Sequence, residues 1–218
     1  MASEMRIDCM SMVLTGSDHL KNIVFDLGGV LFARDISRCP QDFIDFFAFV
    51  RSERMPRFWE EYDRGVLTLD EVTDELCRRN ACTRSRCEEY LQLSIDLQRP
   101  VAPTERLIGE LKEAGYGLYV LSNMSAEFIA FLRRFPVYGL FDGEVVSCEE
   151  HTVKPERRIY EILLERYGLQ PAETLFIDDR PANIAAAEEL GIRGRLFDFR
   201  HPDEACEALR RELLPRRR

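Results

Sequence analysis

The sequence predicts an α/β fold, in which a Rossmann-like parallel β-sheet forms the core and a helical cap is inserted after the first strand. Short apolar runs that end in polar or glycine residues alternate with stretches of helical length through most of the chain. Residues 34–100 are the exception, because helical patterns follow one another there without an apolar strand run between them. Strands that alternate with helices form a parallel sheet that is covered on both faces.

The first strand run is 22–26, an apolar segment that Gly28 and Gly29 terminate. Similar runs follow at 117–121, 144–147, 174–177 and 193–197. Helical patterns accompany them at 104–114, 126–135, 156–167, 181–190 and 203–213. Glycines just past the helix ends and prolines near the helix starts agree with these boundaries.

The region 34–100 has the pattern of a helical insertion. Its helix-prone stretches are 42–51, 56–64, 69–79 and 85–98, and Pro100 and Pro103 mark the return to the core. We therefore expect three parts in the chain. They are a flexible N-terminal extension at 1–20, an α/β core made of 21–33 and 101–218, and a helical cap at 34–100.

Composition and charge argue against several classes of protein. The 218 residues carry a formal net charge of −9, whereas a nucleic-acid-binding protein needs a basic face. The seven cysteines form no CxxC pair, which favours reduced thiols. Charged residues interrupt the first twenty positions, and no apolar stretch is long enough to span a membrane. We expect a cytoplasmic protein, a monomer or homodimer, that binds neither nucleic acid nor membranes.

Polar residues mark the ends of three predicted strands. Asp26 ends the first strand, Ser122 and Asn123 follow the second, and the pair Asp178-Asp179 follows the fourth. Ligands of open parallel sheets bind beyond the carboxyl ends of the strands. Asp26 presents an accessible carboxylate there or simply ends the strand in a turn. The pair Ser122-Asn123 binds a phosphate at a helix N-terminus or only caps that helix.

Two further features indicate charge chemistry. Lys154 precedes a helix start, where a cation opposes the helix dipole, although by itself a solvated surface lysine is the default interpretation. Asp178 and Asp179 repel each other unless a cation such as Mg²⁺ binds between them. The alternative interpretation is that they cap the next helix. Each feature is weak by itself. Their occurrence together, with Asp26 first, favours an active site.

These segments, in this order, resemble the haloacid dehalogenase-like hydrolase superfamily, whose motifs match from about residue 22 to residue 197. The insertion at 34–100 resembles the helical cap of its subfamily IA. The α-D-glucose-1-phosphate phosphatase branch is similar in several short segments, at 26–30, 63–65, 69–71, 121–123, 154–156, 158–160, 178–179 and 183–184.

The resemblance implies a Mg²⁺-dependent phosphatase for a small phosphorylated metabolite. Asp26 would attack phosphorus and form an aspartyl phosphate that water hydrolyses. Ser122 and the following amide of Asn123 would hold the phosphoryl oxygens, and Lys154 would neutralise charge as a second catalytic residue. The ligands of Mg²⁺ would be Asp26, the carbonyl of Gly28, Asp178 and Asp179.

One residue departs from the usual pattern of phosphatases in this superfamily. They carry a second Asp two positions after the nucleophile, as general acid and base, and this chain has Gly28. Either another group replaces the missing Asp as acid and base, or the leaving oxygen of the substrate needs little protonation. A hexose 1-phosphate is an example of the second case, because its anomeric oxygen leaves readily. In the cap, Trp59, Tyr62 and Arg64 either contact such a substrate or pack within the cap.

Gly28 also keeps two other functions open. A 2-haloacid dehalogenase likewise lacks the second Asp and uses the same nucleophile, although a metal-free reaction has no use for the acidic pair Asp178-Asp179. A non-catalytic binding protein on the same scaffold is the third interpretation, which does not explain why Asp26, Ser122 and Lys154 are all present.

Overall fold

The computed structural model describes residues 20–37, 39–52 and 54–215. Five parallel strands form the main sheet, and two short strands form a separate antiparallel pair. In chain order the strands are β1 (Asn22–Phe25), β2 (Phe32–Arg34), β3 (Gln98–Pro100), β4 (Gly117–Ser122), β5 (Gly143–Val146), β6 (Thr174–Asp178) and β7 (Arg193–Leu196). The order across the main sheet is β5-β4-β1-β6-β7, which confirms the predicted α/β fold with a parallel sheet.

Helices follow the strands as the sequence pattern predicts. They are α1 (Gln41–Phe46), α2 (Arg57–Asp63), α3 (Leu69–Asn80), α4 (Arg84–Asp96), α5 (Ala102–Glu113), α6 (Ala126–Leu132), α7 (Ser147–Glu150), α8 (Arg157–Tyr167), α9 (Pro181–Glu188) and α10 (Pro202–Leu213). Short 3₁₀ turns lie at Ala48–Arg51, Pro136–Leu140 and Pro171–Glu173. Within the described residues, none of the helices has the length and apolar character needed to cross a membrane.

The antiparallel pair β2–β3 was not predicted. Phe32 pairs with Pro100 and Arg34 with Gln98, so the two strands hold together the entry to and the exit from the helical region. Each strand has only three residues, and β3 ends in a proline, so neither is long enough to produce a clear strand pattern. These strands flank helices α1 to α4 and do not separate them, so the expectation that no strand run lies between the helical stretches agrees with the structure.

Alternate residues of β1 pack on opposite faces of the sheet. Ile23 and Phe25 belong to one buried cluster, together with Leu107 of α5 and Leu209 of α10. Val24 belongs to a second cluster with residues of α8 and β6. The predicted extension at 1–20 lies outside the described residues except for Leu20, which is buried in the first cluster.

Helices α1 to α4 share a third cluster that is rich in aromatic rings. Trp59 packs edge-on against Phe47 and Tyr62, and Phe128 of α6 joins the same cluster. Buried aromatic side chains remove large apolar areas from water and stabilise such a cluster strongly. Because α6 begins just after β4 ends, this packing seats the helical region beside the carboxyl edge of the sheet.

Candidate active site

The carboxyl ends of three neighbouring strands bring the predicted site residues together. β1 lies between β4 and β6, and Phe25 is in register with Val120 and Ile177. Asp26 lies one residue beyond β1, and its N–H still donates to the carbonyl of Ile177 at 2.9 Å. Ser122 is two residues beyond Val120 on β4, and Asp178 is one residue beyond Ile177 on β6, so both lie at the same edge of the sheet as Asp26.

Asp26 is 7% exposed and is held by several donors. Its carboxylate accepts hydrogen bonds from the N–H of Leu27 at 2.7 Å and from Oγ of Ser122 at 2.9 Å. The ammonium of Lys154 lies 2.9 Å from Oδ1 of Asp26. Burial raises the pKa of Asp26, while the charge of Lys154 opposes that rise. The ionised form of Asp26 therefore depends on nearby positive charge.

Lys154 is 4% exposed and joins two carboxylates. Besides Asp26, its Nζ contacts Oδ2 of Asp178 at 2.6 Å and the carbonyl oxygen of Leu121 at 2.8 Å. Burial lowers the pKa of Lys154, but the charges of Asp178 and Asp26 outweigh burial and raise the pKa overall. The lysine predicted from its position before a helix is thus a buried cation, and the interpretation as a solvated surface lysine is wrong.

Asn123 serves a different purpose from the one expected. Its Oδ1 accepts the N–H of Lys154 at 2.7 Å, and its Nδ2 donates to the carbonyl of Lys154 at 2.9 Å. Both polar atoms of the side chain are therefore engaged with the lysine backbone. The side chain of Asn123 therefore positions the backbone of Lys154.

Asp178 is fully buried and is oriented by α9. Nδ2 of Asn183 donates to both of its carboxylate oxygens at 3.0 Å, and the N–H of Arg180 donates to Oδ1 at 2.8 Å. No role for Asn183 was predicted from the sequence. Its position five residues after Asp178, in the first turns of a helix, is the signal that would have identified it.

Asp26, Asp178 and Asp179 form a cluster of acids. Their carboxylate oxygens lie within 4.8 Å of one another, and burial together with the charges of Asp26 and Asp178 raises the pKa of Asp179 to about 7. A hard cation with oxygen ligands relieves such repulsion, so the donor set fits Mg²⁺. Gly29 has a φ of +79°, and a Cβ there would lie 2.7 Å from Oδ2 of Asp179, so glycine is required for this approach.

Gly28, the residue that departs from the superfamily pattern, borders free space. A Cβ built at this position would have no atom within 4 Å. Room for an acidic side chain therefore exists beside Asp26, although the chain does not fill it.

The structure favours packing over substrate contact for the cap residues. Trp59 is 7% exposed and Tyr62 is 2% exposed, and both lie in the aromatic cluster. The hydroxyl of Tyr62 donates to Glu127 at 2.6 Å. Arg64 contacts Glu156 at 2.6 Å, so its charge is paired. The substrate roles suggested for these three residues are therefore corrected. The rings of Trp59 and Tyr62 are buried in the aromatic cluster, and the charge of Arg64 is paired with Glu156.

Comparison with known proteins adds independent information. A model of the haloacid dehalogenase-like hydrolase family matches residues 20–191. The sesquiterpene phosphatase astK of Aspergillus oryzae is 31% identical over 176 residues, which are 80% of this chain and 88% of that protein. An (S)-2-haloacid dehalogenase of Pseudomonas sp. is 28% identical over 195 residues, covering 80% of this chain and 81% of that protein.

A similar solved structure is that of a HAD family enzyme from Bacteroides thetaiotaomicron in complex with magnesium and inorganic phosphate. It is 27% identical, with a TM-score of 0.64, and the match covers 82% of this chain and 94% of that chain. The family model spans most of the described residues and includes every strand end that contributes to the acidic site. The chain therefore belongs to the haloacid dehalogenase-like hydrolase family.

Proposed function

We propose that this protein is a Mg²⁺-dependent phosphatase that hydrolyses a small phosphorylated metabolite through an aspartyl-phosphate intermediate. The observation that carries the proposal is the arrangement around Asp26. A buried lysine and a serine hydroxyl contact its carboxylate, and two further carboxylates lie close enough to share a cation with it. This combination suits the transfer of a dianionic phosphoryl group.

The chain's own residues account for the attack on phosphorus and for the stabilisation of charge. Oδ of Asp26 attacks phosphorus, and the bond to the leaving oxygen breaks as the bond to Asp26 forms. Water then attacks the phosphorus, which releases inorganic phosphate and regenerates the carboxylate. Ser122 and the amide of Asn123 hold phosphoryl oxygens, while Lys154 stabilises their charge. Bound Mg²⁺, held by Asp26, Asp178, Asp179 and the carbonyl of Gly28, would offset negative charge as the reaction proceeds.

The substrate class follows from charge and from the departure at Gly28. A sugar phosphate such as a hexose 1-phosphate fits, because its anomeric oxygen is a better leaving group than an ordinary alcohol. The segments shared with the α-D-glucose-1-phosphate phosphatase branch support the same class. We also propose that residues 34–100 act as a cap over a core of 21–33 and 101–218, since α1 to α4 pack beside the carboxyl edge of the sheet.

A 2-haloacid dehalogenase is the second candidate. Gly28 and the haloacid dehalogenase among the relatives favour it. The cluster of Asp26, Asp178 and Asp179 argues against it, because three close carboxylates repel the anionic haloacid and need a cation.

The proposal predicts Mg²⁺-dependent phosphate release that requires Asp26. Inorganic phosphate is measured with a panel of sugar phosphates and other phosphate monoesters, in Mg²⁺ and in EDTA. We expect turnover in Mg²⁺ only, and a loss of more than about 10³-fold in Asp26→Asn, because the nucleophile is removed. Asp45→Asn is the matched control, since Asp45 is an exposed residue of α1.

The second candidate is assayed in parallel. Halide release from 2-chloropropionate in EDTA, lost in Asp26→Asn, together with no phosphate release from the panel, would replace the phosphatase proposal with the dehalogenase.

A further inference from the structure

Three cysteine side chains meet between helices α3 and α4, outside the acidic site. Sγ of Cys77 lies 2.9 Å from Sγ of Cys87, and Sγ of Cys82 lies 3.1 Å from the same atom. All three residues are thiols in the structure. Cys87 is thus the common neighbour of the other two thiols.

The backbone between the two helices explains why these thiols meet. Ala81 caps the C-terminus of α3 with a φ of +48°, and the N–H groups of Ala81 and Cys82 both donate to the carbonyl of Cys77. A left-handed residue of this kind closes the last helical turn, so Cys82 lies beside Cys77. The side chain of Thr83 caps α4, and the N–H of Cys87 donates to the Thr83 carbonyl at 3.1 Å, one turn into that helix. Local backbone geometry therefore holds the three sulfurs together.

The three thiols differ in exposure. Cys87 is fully buried in the aromatic cluster, whereas Cys77 and Cys82 pack at the edge of that cluster and are partly exposed. Burial raises the pKa of Cys87, and its neighbours Cys77 and Cys82 add to that rise. Because exposed thiolates react with oxidants and buried thiols are inert, an oxidant from solution meets Cys77 or Cys82 first. Cys87 is then the thiol that lies within reach of either.

The arrangement of the sulfurs suits a disulfide better than a metal ion. A metal ion bound by three thiolates sits among them, so all three sulfurs must surround one point. Among the described residues, the acidic cluster is the group of three metal-ligand side chains whose ligand atoms all lie within 4.8 Å of one another, and the three cysteines are not a group of this kind. The sulfurs therefore form a row, with Cys87 between Cys77 and Cys82.

We propose that Cys87 is the centre of an oxidation site and forms a disulfide with Cys77 or Cys82 in the presence of hydrogen peroxide. An outer thiol gives up its proton, its sulfur attacks the O–O bond, and a sulfenic acid and one water form. The sulfur of Cys87 then attacks the sulfenic sulfur, and the departing hydroxide takes the Cys87 proton to form a second water. Two thiols are oxidised to a disulfide, and one peroxide is reduced to two waters. This inference is independent of the proposed phosphatase function.

The third thiol then moves the disulfide along the row. In a Cys77–Cys87 disulfide the sulfur of Cys82 is next to Cys87, and its attack there releases Cys77 as a thiol. The reverse attack restores the first disulfide. Both disulfides share Cys87, so every cross-link of this site contains it.

A purely structural role for the thiols makes a different prediction. A disulfide at this site joins α3 to α4 and closes a short loop, which restricts the unfolded chain and stabilises the folded protein. If the thiols serve only as small apolar groups in the aromatic cluster, peroxide instead oxidises the exposed sulfurs one by one and forms no cross-link to Cys87. The two interpretations therefore differ in the products of oxidation.

The test is mapping of the cross-links after oxidation. The reduced protein is treated with a small molar excess of hydrogen peroxide, unreacted thiols are alkylated, and tryptic peptides are identified by mass spectrometry. Trypsin cleaves after Arg79 and Arg86, which places Cys77, Cys82 and Cys87 in separate peptides. We expect Cys77–Cys87 and Cys82–Cys87 peptide pairs that dithiothreitol removes, and a Tm that rises on oxidation and returns on reduction.

Serine substitutions separate the two partners of Cys87. Cys77→Ser should retain the Cys82–Cys87 pair, and Cys82→Ser should retain the Cys77–Cys87 pair. Cys77→Ser/Cys82→Ser should lose every cross-link and the rise in Tm on oxidation. It leaves the buried Cys87 in place, so the test does not depend on a variant of the buried residue. Cys148→Ser is the matched control, since Cys148 is a partly buried cysteine of another cluster, and should retain both pairs.

Two results would overturn the proposed oxidation site. One is a Cys77–Cys82 disulfide as the main product of the wild-type protein, which would remove Cys87 from the centre. The other is the absence of any cross-link to Cys87, whether the outer thiols stay reduced or become sulfinic acids. Neither result depends on whether the protein releases phosphate from any substrate.

Discussion

At the scale of single residues, the site is organised around one buried cation. Lys154 neutralises Asp26 and Asp178 together, at 2.9 and 2.6 Å, and all three side chains are almost fully buried. Removing one member of a buried charged set leaves the others uncompensated, which is usually more damaging than the set was stabilising. Lys154 is thus a structural requirement as well as a candidate catalytic group.

Lys154→Met therefore tests both consequences. We expect a loss of about 3–5 kcal/mol in the free energy of unfolding without Mg²⁺, since two buried carboxylates lose their partner. Part of that loss should be recovered in Mg²⁺, although turnover stays abolished. Lys112→Met is the control: its pair with Asp142 is partly exposed and is worth only about 0–1 kcal/mol. Urea unfolding of the three proteins, with and without Mg²⁺, measures the effect; equal losses in the two variants would contradict it.

The residue scale also separates what sequence could predict from what it could not. Asp26, Ser122 and the acidic pair follow apolar strand runs, so their place at the sheet edge follows from the local pattern. Lys154 has no such local signature. Its role depends on the groups that the fold brings near, because its two carboxylate partners, Asp26 and Asp178, lie far from it in sequence.

At the scale of elements, the helical region is held by its aromatic cluster. Trp59 and Tyr62 are three residues apart on α2, and the sequence allowed them to face either a substrate or the interior. The structure places both rings in the cluster that reaches Phe128 of α6. A helical pattern identifies a shared face but does not say what that face contacts.

Trp59→Ala tests the packing role. We expect a loss of about 3–5 kcal/mol in stability, because the substitution opens a cavity among aromatic rings. KM values for different substrates should shift together, because in the packing role the Trp59 side chain does not contact the substrate. Val66→Ala, at a position that is 58% exposed, is the control and should change stability by less than about 0.5 kcal/mol. A selective change in KM for one substrate in Trp59→Ala, with stability intact, would reinstate the substrate-binding interpretation.

The short strands β2 and β3 show the limit of element prediction. Each has only three residues, and the pairing of Phe32 with Pro100 joins residues far apart in the chain. Such a pair forms because the core and the helical region have already brought its ends together. The five strands of the main sheet, by contrast, were predicted within one or two residues, and the central strands β1, β4 and β6 are largely buried and apolar along their length.

At the scale of the whole molecule, the acidic cluster couples stability to metal and to pH. Burial and the charges of Asp26 and Asp178 raise the pKa of Asp179 from 3.8 to about 7 in the folded protein. The folded state therefore binds this proton more tightly than the unfolded chain does, so the stabilisation is complete below pH 4 and is lost as pH rises through about 7.

We accordingly expect the difference in Tm between wild type and Asp179→Asn to grow in EDTA as pH rises from about 4 to 8, with the variant the more stable at high pH. Saturating Mg²⁺ should raise the wild-type Tm at pH 8, by an amount equivalent to about 2.7 kcal/mol at one hundred times its dissociation constant. The variant should respond less to Mg²⁺. Thermal melts across pH, in Mg²⁺ and in EDTA, measure both effects. A Tm difference between wild type and Asp179→Asn that does not change with pH would contradict the raised pKa of Asp179.

The sequence by itself determined the α/β fold, the parallel core and the polar residues at the strand ends, because burial on both faces and helix termination leave local patterns. Only the tertiary structure decided that Lys154 bridges Asp26 and Asp178, that Asn123 holds the backbone of Lys154, and that Asn183 orients Asp178. Those relations join residues from separate elements, and electrostatic energies depend on distance and burial in space. No spacing along the chain encodes either quantity.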